Sequence, residues 1–535
     1  MKASENTDKD VAQRYYDLAM RYHYGDGVQQ DCREALKHLL IAGEAGHAEA
    51  QYRLGDYYSE GYGGSDIDMP LAVRWYEKAA EQGNADALAS LGSIYLVGEG
   101  VKKNINKGLE LLKKGMEKES ATGLALWATE LLEGKNLDRN LEEAVRLLHV
   151  AAEKSGKDDC LPLLMLGMVY LNGQGIEQNS DKATEYFVAA VEIATIEAQR
   201  GSRSHQGVLG LIYLNGYGVA EDPVEAVKWF RLAAERDNDT SQVELGKCFL
   251  LGTGISEDTY EAAKWFQKAA NQGNDEGQYW LGLCYLSGIG VTEDASEAVQ
   301  WLQKASEQGN ACAQRQLASC YLNGLGVAVD FTEAVKWFRK AAEQGDPEAQ
   351  VSMGIAYLSG AGVSQDEIEA AEWFCQAAEQ GDPTGQTRLG HCYLSGTGVL
   401  QNPVEAFKWF NKAAEQGHPE GENMLGVCYL NGTGVMQNNM RGVKWCRQAA
   451  ERGFVTAQNN MAYFCSEGIG GQKNMQEAIS WWQLAADQGD PDAQFMLGVC
   501  YMNGDGVAPN PAEASKWFHL AAEQGHEKAL EILNS

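Results

Sequence analysis

Apolar and small residues recur along this chain at helical spacing, and the whole pattern repeats every 36 residues. Around Gly282, taken as position zero, Leu281, Gly282 and Tyr285 fall on one face of a short helix, with Gln278 a polar exception at its start. In the unit around Ala318, Asn323 and Gly324 stop that helix, the glycine fitting a left-handed C-terminal cap. Asp330 then marks a new start. Glu333 follows it three residues later, as in a capping box. A second run, Ala334, Trp337, Phe338, Ala341 and Ala342, again shares one face and closes at Gln344 and Gly345. Each unit therefore predicts two helices joined by a tight turn.

The same zero position is found at 19, 55, 92, 128, 167, 210, 246, 282, 318, 354, 390, 426, 462 and 498, which makes fourteen units. Such a period predicts an all-α solenoid in which each unit buries its apolar face only against its neighbours. Spacing is irregular at two places. The loop Gly61 to Ser65 is longer by one residue, and the steps from Ala128 to Gly167 and from Gly167 to Gly210 are 39 and 43. We therefore divide the chain into irregular amino-terminal repeats (1–149), an irregular repeat with insertions (150–206), nine regular repeats (207–525) and a capping half-repeat (526–535).

The motif L-G-x-x-Y-L-x-G-x-G-V, followed by D-x-x-E-A-x-x-W-F-x-x-A-A-E-Q-G, resembles the Sel-one-like repeat (SLR), a slightly longer cousin of the tetratricopeptide repeat. The resemblance covers residues 11 to 533. It implies antiparallel helix pairs stacked into a right-handed superhelical α-solenoid, and a role as a non-enzymatic adaptor that binds a protein or peptide segment along its concave face. Two other roles occur in or beside such a family: a regulatory subunit of an enzyme complex, and the β-lactam hydrolase activity associated with its secreted, cysteine-rich branch.

The cysteines speak against that branch. Cys248, Cys284, Cys320, Cys392, Cys428 and Cys500 each sit two residues after position zero, and the other six share no offset. A disulfide framework pairs two fixed positions per repeat, so these read as buried free thiols. Glycine pairs such as Gly396 and Gly398 lack the Lys-Ser or Lys-Thr of a phosphate loop. The recurring Asp and Glu read as helix caps, and the nine histidines are scattered without metal-ligand spacing. No catalytic residue, metal or cofactor is assigned.

Charge shapes the partner. Lys and Arg number 44 against 75 Asp and Glu, a net charge of −31. That balance repels nucleic acid and anionic lipid and favours a neutral or basic protein ligand. The polar, mixed-charge start and the lack of a long apolar run suggest a cytoplasmic protein without membrane insertion. Helix geometry places positions −3, +1, +4 and +5 beside the buried stripe. At +5, Asn215, Asn323, Asn431 and Asn503 form a ladder that either holds a peptide backbone or satisfies carbonyls at the helix end. At −3 and +1 the residues differ from unit to unit, and from these and their neighbour Trp280 we take Tyr279, Trp280, Leu283, His391, Tyr463 and Phe495 as candidate contacts.

Overall fold

The computed structural model describes residues 2–134, 136–156 and 159–534; Met1, Lys135, Lys157, Asp158 and Ser535 lie outside them. Among the described residues are 29 α-helices and one short 3-10 helix, Tyr62–Gly64, with no strand. The predicted all-α solenoid is what the chain forms. Its internal contacts group it into two units, Met1–Trp301 and Leu302–Ser535.

The repeat around Gly354 shows why the sequence folds this way. Its first helix, Pro347–Ser359, packs on its second, Glu367–Glu379. Position zero is small because the Phe374 ring lies directly on it: a Cβ on Gly354 would sit 2.5 Å from that ring. Gly390 and Phe410 repeat the contact, and in the unit around Gly426 a buried Cys446 stands where the phenylalanine would be. Gly360 ends the first helix at φ 70°, its N–H donating to the Ala356 carbonyl. The second loop glycine has a different reason to exist. A Cβ on Gly398 would lie 1.8 Å from the Glu367 carbonyl oxygen, so this loop seats on the start of the preceding repeat's second helix.

Asp366 accepts hydrogen bonds from the N–H groups of Ile368 and Glu369, as an N-cap should. The reciprocal half of the expected capping box does not form. The N–H of Asp366 donates instead to the Tyr357 carbonyl at 3.0 Å, and Asp330 donates in the same way to Tyr321. With that donor already used, several N3 glutamates turn outward to lysines three residues on, as in Glu333 with Lys336 (2.5 Å) and Glu405 with Lys408 (2.6 Å).

The polar exception at −4 is a buried relay. Gln350 Nε2 donates to the carbonyl of Ala342 in the preceding helix (3.1 Å), while its Oε1 accepts from Gln380 Nε2, 30 residues later (2.8 Å). The same pair of bonds recurs at Gln314 with Gln344 and at Gln494 with Gln524. Each relay adds a side-chain donor to a carbonyl of the preceding helix's last turn, which also accepts a backbone N–H, and ties one repeat to the next.

Within each unit, first helices of successive repeats touch directly, as Pro347–Ser359 touches Pro383–Ser395, more closely than second helices do. Each unit thus curves with its first helices inside.

Unit Met1–Trp301 closes on itself. The second helix of the inserted repeat, Ser180–Arg200, runs to 21 residues, and its end meets the long loop of the second repeat. The Tyr62 hydroxyl donates to the Glu197 carboxylate (2.9 Å), which also pairs with Arg200. Arg203 Nε donates to the Ser59 carbonyl (3.0 Å), and Arg236 Nη2 to the carbonyls of Glu60 (3.0 Å) and Gly61 (2.8 Å). The two irregularities of the sequence are therefore the two halves of one clasp.

Candidate functional site

The inner face is built from first helices, and the sequence candidates divide there into residues that join repeats and residues left open. Position −3 belongs to the joints. In four repeats its side chain meets the residue that precedes the next repeat's first helix, 31 positions on. Arg315 donates to Asp346 (3.1 Å) and also reaches Glu348 (2.6 Å); the Thr387 hydroxyl meets His418 Nδ1 (3.1 Å); Asn459 donates to Asp490 (2.9 Å). Phe495 stacks on His526 with ring centroids 4.5 Å apart. Thr387 is fully buried. In these four repeats the −3 residue is matched to the next repeat's cap residue. The signal was in the sequence, as a matched pair at a 31-residue offset.

Other candidates are also engaged. Trp280 stacks on Phe266 at 5.6 Å, and Tyr279 meets Trp280 edge-on at 5.6 Å. His391 Nε2 lies 3.3 Å from Glu420 Oε1 and its ring rests edge-on against Phe410. The hydrogen bond to His391 holds the Glu420 carboxyl below its ordinary range, and burial pushes His418 down. Along the +5 ladder, Asn215 and Asn323 donate to the carbonyls of Leu211 (2.8 Å) and Ser319 (2.9 Å), four residues back in their own helices. Asn503 donates to Asp505 (3.2 Å), and Asn431 is exposed.

At +1, where His391 is engaged as above, two residues stay open. Ile355 is 46% exposed and Tyr463 55%, while Leu283 is half-buried. Each lies one turn before the +5 residue, so +1 and +5 form a stripe along the first helices.

The twelve cysteines are free; ten are buried, Cys375 is half-buried and, against the sequence reading, Cys312 is exposed. Burial pushes the thiols of Cys284, Cys320 and Cys428 up to about 11, which keeps them protonated and unreactive. Among the described residues no group of three or more His, Cys, Asp or Glu is placed to hold a metal ion, and no helix is long and apolar enough to cross a membrane.

Comparison with known proteins places these features in a family. The Sel1 repeat matches residues 15–47, 48–84, 85–120, 118–155, 163–192, 208–238, 240–274, 275–310, 313–346, 347–382, 383–418, 419–454, 455–490 and 491–526. An uncharacterised protein of Neisseria meningitidis serogroup B is 28% identical over 98 residues, which is 18% of this chain and 19% of that protein. A Sel1-repeat-containing protein of Escherichia coli K12 is 30% identical over 150 residues, which is 28% of this chain and 62% of the relative. Both matches thus span less than two thirds of the relatives' own length. Among solved structures, a protective antigen of uropathogenic Escherichia coli strains, displaying an SLR fold, is 33% identical with a TM-score of 0.52, covering 79% of this chain and 88% of the antigen. With its helix pairs, loop glycines and fourteen matched repeats, the chain belongs to the Sel1 repeat family.

Proposed function

We propose that this protein is a non-enzymatic interaction scaffold that holds a protein or peptide segment against the +1 and +5 stripe of its first helices. One observation carries the reading: Ile355 and Tyr463, large apolar residues at +1, stand exposed while the frame around them repeats. Exposed aromatic and aliphatic anchors beside polar hydrogen-bonding groups are the composition of a recognition surface. Asn323, Asn431 and Ser359, one turn further on, supply polar groups beside these anchors. The net charge of −31 favours a neutral or basic segment, with association that weakens as salt rises.

The test is selection of binding 12-residue peptides on the full chain, followed by anisotropy titration against the variant carrying Ile355→Ser and Tyr463→Ser. Affinity at least about tenfold weaker, with an unchanged melting curve, supports the stripe. Equal affinity in the variant, or selection of no peptide tighter than about 1 mM, overturns it.

A further inference from the structure

The loop edge of unit Leu302–Ser535 carries a bounded strip of apolar side chains left in water. Position +14 is the second residue of each second helix, and +10 lies in the loop before it. Among the regular repeats +10 is large and apolar only at Leu400 and Met436, and within this unit +14 is so only at Ile368, Val404 and Met440. The loop holding Leu400 seats on the helix start holding Ile368, through Gly398 against the Glu367 carbonyl. The loop holding Met436 seats likewise on the start holding Val404, where a Cβ on Gly434 would lie 2.0 Å from the Pro403 carbonyl oxygen. The strip thus runs in the order Ile368, Leu400, Val404, Met436, Met440, from 51% exposed at Val404 to 91% at Leu400. Thr332 and Gln476 hold +14 on either side and end it. Together the five residues leave roughly 700 Å² in water, more than the about 300–600 Å² of the largest apolar patch on a typical monomer.

Charge along this strip falls into two halves. Positions +15 and +18 flank it, +18 standing one helical turn behind the apolar residue at +14. Five repeats close these two positions as an internal Glu–Lys pair, and the middle of the strip does so with Glu405 and Lys408. The repeats on either side of it break the pattern with opposite signs. Beside Ile368 the two positions are Glu369 and Glu372; beside Met440 they are Arg441 and Lys444. Glu372, Arg441 and Lys444 are exposed and Glu369 is half-buried, with the Arg441 guanidinium 5.9 Å from the Tyr429 ring. One end of the strip is therefore acidic, its middle neutral and its other end basic.

We infer that this strip is the contact between two copies of the chain, related by a two-fold axis at Val404. Such an axis sets Leu400 opposite Met436 of the second copy and Ile368 opposite its Met440. It also brings Glu369 and Glu372 of each copy to Arg441 and Lys444 of the other. An isologous contact requires a patch complementary to itself, and an apolar strip whose two ends carry opposite charge meets that requirement. A peptide of one charge sign would match only one end. The area agrees, since a standard interface takes about 800 Å² from each partner. The net charge of −31 opposes self-association at long range, but in about 0.15 M salt screening within about 8 Å leaves the local pairing to decide. No residue of the +1 and +5 stripe takes part, so the contact stands or falls independently of the proposed function.

Sedimentation velocity of the full chain in about 0.15 M salt tests this. The mass should rise from one chain, 58.4 kDa, to two as concentration increases, with half-dimerisation in the micromolar range. Leu400→Ser with Met436→Ser alters only exposed side chains and should weaken dimerisation at least about tenfold without moving the melting curve. Exchanging the charges tests the two-fold geometry. One variant carries Glu369→Arg and Glu372→Lys, and another Arg441→Glu and Lys444→Glu, so each takes into one repeat the pair that the other repeat already holds. Alone, each variant meets like charge at both ends and should stay monomeric where the parent dimerises. Mixed in equal amounts, the two should dimerise again, which a merely misfolded variant would not do. A parent that stays monomeric at about 200 µM overturns the inference and returns the strip to a partner of another kind. So does a dimer that the serine variant leaves intact, a charge variant that dimerises unmixed as the parent does, or a mixture that fails to recover the dimer.

Discussion

Glu422 and Arg452 occupy the relay positions that glutamine holds in neighbouring repeats, and they show what each side chain of that relay contributes. Glu422 is 2% exposed, and Arg452 Nε donates to it at 3.3 Å from a largely exposed position. Burial lifts the Glu422 carboxyl above its ordinary range, with Arg452 opposing the lift. A carboxyl lifted in the folded state holds its proton more tightly there than in the unfolded chain. It therefore subtracts stability as pH rises from the unfolded glutamate value, about 4.3, through the lifted one. The double substitution Glu422→Gln, Arg452→Gln rebuilds the relay of the adjacent repeats, so its melting temperature should fall less between pH 4 and 7 than that of the unaltered chain. Arg452→Ala alone leaves a buried acceptor unsatisfied and should cost about 1–3 kcal/mol at pH 7, read by urea denaturation. A variant as stable as the parent at pH 7 would show that the pair holds nothing.

At the scale of the element, the relay decides how one helix pair is fastened to the next. Gln350→Leu removes both the bond to the Ala342 carbonyl and the acceptor for Gln380, and should cost about 1–3 kcal/mol in urea denaturation. Gln380→Ala, at the edge of the same relay, should cost at most about 1 kcal/mol. Helix starts, helix ends and the small residue at position zero were legible in the sequence, because propensity, caps and period all depend on neighbours within a few residues. The relay was not. Gln278 and its equivalents stood out only as a polar residue on an apolar face, since periodicity says nothing of a partner 30 residues away. The half-formed capping box at Asp366 was hidden for the same reason: Tyr357, which takes the N–H, lies across the loop in the other helix. The joints at −3, such as Arg315 with Asp346, looked like ligand-reading variation because each was considered without its partner. Of the candidate contacts, Tyr463 keeps an open surface, whereas Trp280 and Phe495 already have rings against them.

At the scale of the whole molecule, the two units should differ in how damage spreads. In Leu302–Ser535, side-chain hydrogen bonds such as Arg315 to Asp346 and Gln380 to Gln350 join one repeat to the next, so the unit should behave as a one-dimensional stack. Trp337→Ala, which empties a buried site under the Lys340 ammonium, should cost roughly 3–5 kcal/mol and raise hydrogen exchange in Phe331–Glu343 and adjoining helices, leaving distant repeats protected. The spacing irregularities at 61–65 and 150–206 were visible in the sequence, but their meeting was not, because it depends on how far the intervening repeats curve. That meeting breaks the one-dimensional rule in Met1–Trp301. Arg203 bonds the Ser59 carbonyl, the Asp237 carbonyl and Glu99, so it fastens the second repeat to the sixth and also reaches the loop of the third. Arg203→Ala should therefore raise exchange together in Ala48–Glu60 and in Ser180–Arg200, segments more than a hundred residues apart in the chain. Tyr62→Phe, which deletes only the hydroxyl that donates to Glu197, should do the same to a smaller degree. Faster exchange confined to the helix bearing the substitution would mean that the clasp carries no coupling, and that the first unit is as local in its energetics as the second.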